Sequence, residues 1–258
     1  MKLRSLMTAA VLFAAVPVAG AENVMPEVVY EPEISSVPGR AIDLRGMVPG
    51  MAAQDVRNIL RDILGAEPRE TTERTVLSGS GVMVTGAPFT KWLAGTVDDE
   101  KITAMFSGIS SDNRLVMIER EASYGDSASA PVSEDFLAGL TEKYGEPSFR
   151  KEVADATGLF WTFKDGRLVP CDDEGRTRCV NPTVAFTNLE SAAADFDVII
   201  FAAVGKSGVD GVRVSRFWLS ATDLDIKVAA DSADEEGLRP ALEAAVAESY
   251  ANAPKPAF

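Results

Sequence analysis

The chain has two cysteines, in the segment Cys171-Asp-Asp-Glu-Gly-Arg-Thr-Arg-Cys179. A pair this close in an exported chain is expected to form one local disulfide, Cys171–Cys179. Closing a ring of that size stabilises by about 2–3 kcal/mol when it is unstrained. A redox pair is the first alternative, but redox motifs are usually C-x-x-C beside a helix that lowers one thiol pKa. A zinc site is the second, and it needs further nitrogen or sulfur ligands. Asp172, Asp173 and Glu174 inside the ring could attract calcium or a basic partner. They lack the spaced acidic ligands and distal Glu of a calcium loop, and a solvated charge run is the simpler reading.

The chain contains no histidine. That removes Ser-His-Asp and Cys-His catalysis, His-ligated metals and an imidazole switch near neutral pH. Catalysis would have to rest on carboxylates, Lys, Tyr or a Ser-Lys pair. Nothing in the spacing of the many Asp and Glu residues selects one pair for glycoside chemistry. Val204-Gly205-Lys206-Ser207 lacks the earlier glycine of a phosphate loop, because position 200 is Ile200. Gly79-Ser80-Gly81 lacks the third glycine of a dinucleotide fingerprint. No catalytic residue, metal or cofactor is assigned.

Recognition chemistry is the remaining class. Trp92, Trp161 and Trp218, with Phe160, Phe163 and Phe217, could line a sheet face, and Tyr30 lies in an extended leader. Phe160 and Trp161 are adjacent, as are Phe217 and Trp218, so each pair points to opposite faces of its strand. One face is core; the other is either covered by a helix or exposed. Tyr30, Trp92, Trp161 and Trp218 are the candidate binding surface.

Composition bounds the setting. At 258 residues and 46% hydrophobic, the chain can bury a sizeable core. Residues 1–21 have the pattern of a signal peptide: Lys2 and Arg4, an apolar run from Leu6 to Val18, then Ala19-Gly20-Ala21. The mature chain is expected to begin at Glu22, in the periplasm, with no membrane span after cleavage. Losing Lys2 and Arg4 takes the net charge from −14 to −16, which opposes nucleic acid and anionic lipid.

The elements follow from periodicity. Residues 22–44 are an extended, Pro- and Glu-rich leader, with Val28-Val29-Tyr30 able to add to a sheet edge or a partner. Val56, Ile59, Leu60, Ile63 and Leu64 form one stripe of a helix over about 52–64, ended by Gly65 and Pro68. Strand runs are expected at Thr75–Ser78, Thr90–Val97, Lys101–Ser107 and Arg114–Tyr124, with Asp98-Asp99-Glu100 as a hairpin turn. A small-residue bridge, 125–130, closes this half.

Ser133 is expected to cap a second helix with the stripe Phe136, Leu137, Leu140 and Tyr144. It ends at Gly145 and Pro147, much as the first ends. Gly158–Lys164, Asp165-Gly166 and Arg167–Pro170 form a hairpin with a type I′ turn. Strands follow at Thr183–Asn188, Asp197–Gly205 and Val212–Ala221, the last two joined by the Lys206–Gly211 loop, and Leu224–Ala229 is expected as a further short strand or a strand extension. The closing helix carries Leu242, Val246 and Tyr250, and Pro240 either opens it or kinks a longer one.

Gly50-Met51-x-x-Gln54-x-Val56, with Leu64-Gly65 and Pro68, is similar to the start of the small outer-membrane-assembly lipoprotein fold of the SmpA/OmlA type. The tandem version of that fold resembles the secreted β-lactamase-inhibitor protein. The chain departs from the lipoproteins in lacking a lipidated cysteine after the signal. Lys143–Pro147, Trp161 and Cys171 also resemble uncharacterised exported proteobacterial proteins. These likenesses imply a helix packed on an antiparallel sheet, and no chemistry.

The reading is therefore α+β: two sequential helix-plus-antiparallel-sheet units, 45–130 and 131–258, the second with the disulfide and a C-terminal helix. Its expected role is a non-enzymatic module binding an envelope or secreted protein through an exposed concave sheet face. A carboxylate-dependent hydrolase of cell-wall or exported polysaccharide is the alternative, and a small-ligand carrier is a third. Oligomeric state and partner identity have no signal in the sequence.

Overall fold

The computed structural model describes residues 43–125, 127–171, 189–207 and 211–252. Among them are four helices and nine strands, and all the strand pairings are antiparallel within one sheet. The chain runs α1 (Ala53–Leu64), β1 (Arg69–Gly79), β2 (Val82–Val97), β3 (Glu100–Phe106) and β4 (Leu115–Ser123). It continues as α2 (Ser133–Tyr144), β5 (Phe149–Val153), β6 (Ala156–Lys164), β7 (Arg167–Val169) and α3 (Leu189–Asp195). It ends in β8 (Val198–Lys206), β9 (Val214–Asp223) and α4 (Leu224–Ala251). Strand order is β1-β2-β3-β4-β9-β8-β6-β5, with β7 beside β5 on the same edge of β6. Residue 130, the expected unit boundary, falls between β4 and α2, yet β4 and β9 join the sheet across it.

α1 forms where the period-3.6 stripe predicts. Val56 and Leu60 are fully buried, while Ile59, Ile63 and Leu64 pack partly buried beside them. Gly65 ends it at φ 65°, a left-handed conformation that a Cβ would penalise. α2 ends at Gly145, also at positive φ (83°) but with ψ −173°, outside the left-handed helical region, so the two helix exits differ in geometry. Asp165 and Gly166 both have positive φ (50° and 68°), as a type I′ hairpin requires.

Both faces of the sheet carry helices, which corrects the expectation of one exposed concave face. α1 and α2 cover the side formed by Leu93, Ile102, Ala104, Ile118, Trp161, Ile200 and Phe217. On the other side, Ala192 of α3 and Phe196 just after it pack onto Phe160, Ile199 and Phe201, and α4 sets Ile226 against Met105, Val116 and Met117. Adjacent aromatic residues on one strand thus each find a different helix layer.

Four further local expectations are corrected. Leu224–Ala229 is the start of α4, because Asp223 accepts a hydrogen bond from the Ile226 amide at 2.9 Å and caps it. The Leu224/Ile226 alternation that mimics a strand arises because one residue enters the α3 cluster and the other the β3–β4 cluster. Ser133 is the first residue of α2 and does not cap it; its buried hydroxyl has no partner, and its amide donates to Val212 O at 2.7 Å. Glu100 lies in β3, leaving Asp98 and Asp99 as the turn. The short runs Thr75–Ser78 and Thr90–Val97 are parts of one long hairpin, β1–β2, turned at Ser80-Gly81 with positive φ at both.

β5 and α3 have no counterpart in the sequence reading. The strand expected at Thr183–Asn188 lies outside the described residues. Pro240 sits inside the 28-residue α4. It removes the hydrogen bond to the Glu236 carbonyl, and both residues lie on the exposed side, where water can replace it.

Candidate functional site

The register places the three tryptophans. Trp92 pairs with Met105, Met105 with Met117, and Met117 with Thr222. Thr222, Ser220 and Trp218 alternate along β9, so Trp92 and Trp218 share the α3/α4 face. Trp161 pairs with Ile200, and Ile200 with Ala221, which puts it on the α1/α2 face. It is fully buried there, its Nε1–H donating to Gly145 O at 2.7 Å and its ring 5.4 Å from that of Tyr144. Burial pushes the Tyr144 phenol up to about 12, with the Asp43 charge adding to it. Trp161 is core, and the candidate surface does not include it. Trp92 is half-buried against Met105 and Met117. Tyr30 lies outside the described residues.

Trp218 shares this partial exposure with Trp92 and packs against the Phe160–Phe201 cluster. It is half-buried at one end of a row of rings crossing four strands, Phe149, Phe160, Phe201 and Trp218. Successive centroids are 6.1, 4.7 and 5.4 Å apart, and the Phe201–Trp218 contact is edge-to-face. Such geometries suit the ring quadrupoles and stabilise beyond area alone. Phe160 and Phe201 are buried in the middle of the row. Beyond them the strands carry small residues next to Trp218: Ala203 is its register partner, and Ala203 pairs with Gly158. Exposed Lys101, Glu121, Lys151 and Arg216 stand around this strip, Lys101 and Glu121 being 4.0 Å apart. The result is an indole edge beside a low floor, framed by charges of both signs. It can stack and hydrogen-bond.

Carboxylates with altered proton affinity lie elsewhere. Partial burial raises Asp225, at the start of α4, with the Asp197 charge adding to it. Asp197 pairs with Lys164 at 2.6 Å, and this raises the Lys164 ammonium in turn. Asp234, on α4, is buried beneath the β3–β4 loop and accepts from the Ser110 amide at 2.9 Å; burial raises its pKa against those hydrogen bonds. On the α1/α2 side, Glu100 is clamped by Arg120 and by Arg45 at 2.7 Å. Burial opposes its charge, but the two guanidiniums outweigh that and hold the carboxyl below its usual range.

Cys171 is buried against the Phe160–Phe201 cluster, and no free cysteine occurs among the described residues. Cys179 lies outside them. Among the described residues no group of three or more His, Cys, Asp or Glu is placed to hold a metal, and no helix is long and apolar enough to cross a membrane. Comparison with protein-family models, curated proteins and solved structures finds no match. The aromatic row itself has a partial signal in sequence. Trp218 was legible, whereas Phe149 and Phe201 join it only through strand register.

Proposed function

We propose that this chain is an exported, periplasmic, non-enzymatic module that binds an envelope or secreted protein, with Trp218 at the centre of its contact surface. The carrying observation is the half-buried indole beside Ala203 and Gly158, with Lys101, Glu121, Lys151 and Arg216 exposed around it. An aromatic anchor with a charged rim is the composition that protein interfaces favour. The signal-peptide pattern of residues 1–21 supports export, and the closely spaced Cys171 and Cys179 support an oxidising compartment and a structural disulfide.

The scaffold for this surface is two sequential units of one design, similar to the tandem lipoprotein-like fold. α1 and α2 are each 12 residues and end at a glycine. The residue before each helix, Ala52 or Val132, bridges to the residue before each unit's last strand, Arg114 or Arg213. The row Leu93–Ala104–Ile118 has its counterpart in Leu159–Ala202–Leu219, all buried on the α1/α2 side. Equivalent last strands, β4 and β9, meet antiparallel, as two copies related by a two-fold axis would.

The test is a crosslinked pull-down from the native periplasm and envelope with three baits: the chain from Glu22, the same chain lacking residues 22–44, and Trp218→Ala. One protein captured stoichiometrically by the first and lost with Trp218→Ala supports this reading. Equal capture by both, or none above background, sinks it. The hydrolase reading draws on a different observation, the raised carboxyl of Asp225 near Asp197. It predicts polysaccharide turnover that Asp197→Asn and Asp225→Asn each abolish.

A further inference from the structure

The β1–β2 hairpin reaches well past its neighbour, because β3 pairs only with Trp92–Val97 of β2. The rest is a two-stranded ribbon. One side rests on α4, where Leu242 lies over Gly79 and Leu238 over Gly86. The other side bares Val76 and Met83, 51% and 66% exposed. Thr75 to Thr90 contains no charged residue, in a chain that is 25% charged and carries −14 overall.

β1 is also the last strand of the sheet. Its first half has the devices that keep edges from pairing: Arg69, Glu70, Glu73, Arg74 and two register shifts, at Thr71/Thr72 and Arg74/Val76. Its second half, from Val76 to Gly79 beyond the second shift, has neither charge nor proline nor bulge.

We propose that this edge pairs with a second copy of the chain, β1 against β1 and antiparallel about Leu77. Val76 then lies opposite Ser78 and Leu77 opposite its own copy, with no charge facing another. Two copies of a net-negative chain repel overall, and the uncharged ribbon is a place where they can approach without like charges meeting. Pairing supplies partners to the outward backbone groups and brings the two Val76 side chains near each other across the new ladder. The contact is shorter than a standard interface of about 1,200 Å² or more, so the dimer is weak and needs high concentration.

Sedimentation velocity on the chain from Glu22 to Phe258, from about 1 μM to about 1 mM, reads this directly against the concentration scale of a weak complex. A monomer–dimer equilibrium is expected, shifted toward dimer by salt, which screens the like charges. Amides of residues 75–79 gain hydrogen-exchange protection as concentration rises. Val76→Lys and Ser78→Lys, both at exposed positions, weaken association by about tenfold or more while leaving the unfolding temperature unchanged. A monomer at every concentration overturns the proposal, as does a dimer that ignores both substitutions. Protection of 75–79 that appears only with a different envelope protein overturns the choice of a second copy.

Discussion

Leu64, the last residue of α1, fills the space that a side chain at Gly95 would need: a Cβ there would overlap the Leu64 side chain. In the second half of the sheet, Tyr144 ends α2, and Trp161 faces it with ring centroids 5.4 Å apart. α1 thus meets the sheet through a leucine over a glycine, and α2 through a tyrosine against a tryptophan.

Gly95→Ala is expected to cost about 1–3 kcal/mol, the usual penalty of overpacking. Adding Leu64→Ala to it recovers part of that loss, since the two changes compete for one space. Trp161→Ala removes a buried ring and its hydrogen bond to Gly145, and is expected to cost about 3–5 kcal/mol. Urea unfolding of Gly95→Ala, Leu64→Ala, the two combined, and Trp161→Ala measures these costs. Additive losses for Gly95→Ala and Leu64→Ala would contradict the shared space.

Gly108 and Asp234 make a second close contact: a Cβ on Gly108 would overlap the Asp234 carboxylate. Gly108→Ala is expected to break the Asp234–Ser110 hydrogen bond and expose the β3–β4 loop. Faster hydrogen exchange at residues 108–111, with the rest of the sheet unchanged, is the signature. An unchanged exchange pattern would show that the loop holds without the carboxylate.

Glu100 and Asp234 predict opposite pH dependences. The Glu100 carboxyl is lowered in the folded chain, so its stabilisation is present above its unfolded value near 4.5 and is lost as pH falls through the lower folded value. Asp234 is raised, so its contribution is present below its unfolded value near 3.8 and is lost as pH rises through the folded one. Wild type should therefore lose its advantage over Glu100→Gln on acidification and improve relative to Asp234→Asn. Chemical denaturation between pH 3 and pH 7 of the three proteins checks both signs, over the range in which carboxylates titrate.

The proposed Cys171–Cys179 disulfide predicts no reactive thiol in the exported protein after denaturation, and two after reduction. Reduction should lower stability by about 2–3 kcal/mol. Two thiols titrating without reductant would remove the staple from the account.

What the sequence determined by itself is what short range controls. The stripe from Val56 to Leu64, the left-handed Gly65 and the Asp165-Gly166 turn each depend on residues a few positions apart, and the structure has them. The sequence also limits the catalytic chemistry, because histidine is a matter of composition and not of folding. What only the tertiary structure decided are the choices between surfaces. Leu224 and Ile226 alternate like a strand, yet Asp223 caps a helix there because β9 ends where the two clusters beneath α4 can each receive one of them. Trp161 and Trp218 are chemically alike, and the register of β6, β8 and β9 sends one into the core and leaves the other half-open. Glu100 reads as a turn residue until Arg45 and Arg120, distant in the chain, converge on it. In each case the local preference is worth about 1 kcal/mol or less, and the burial or charge pairing that overrides it comes from residues far away in sequence.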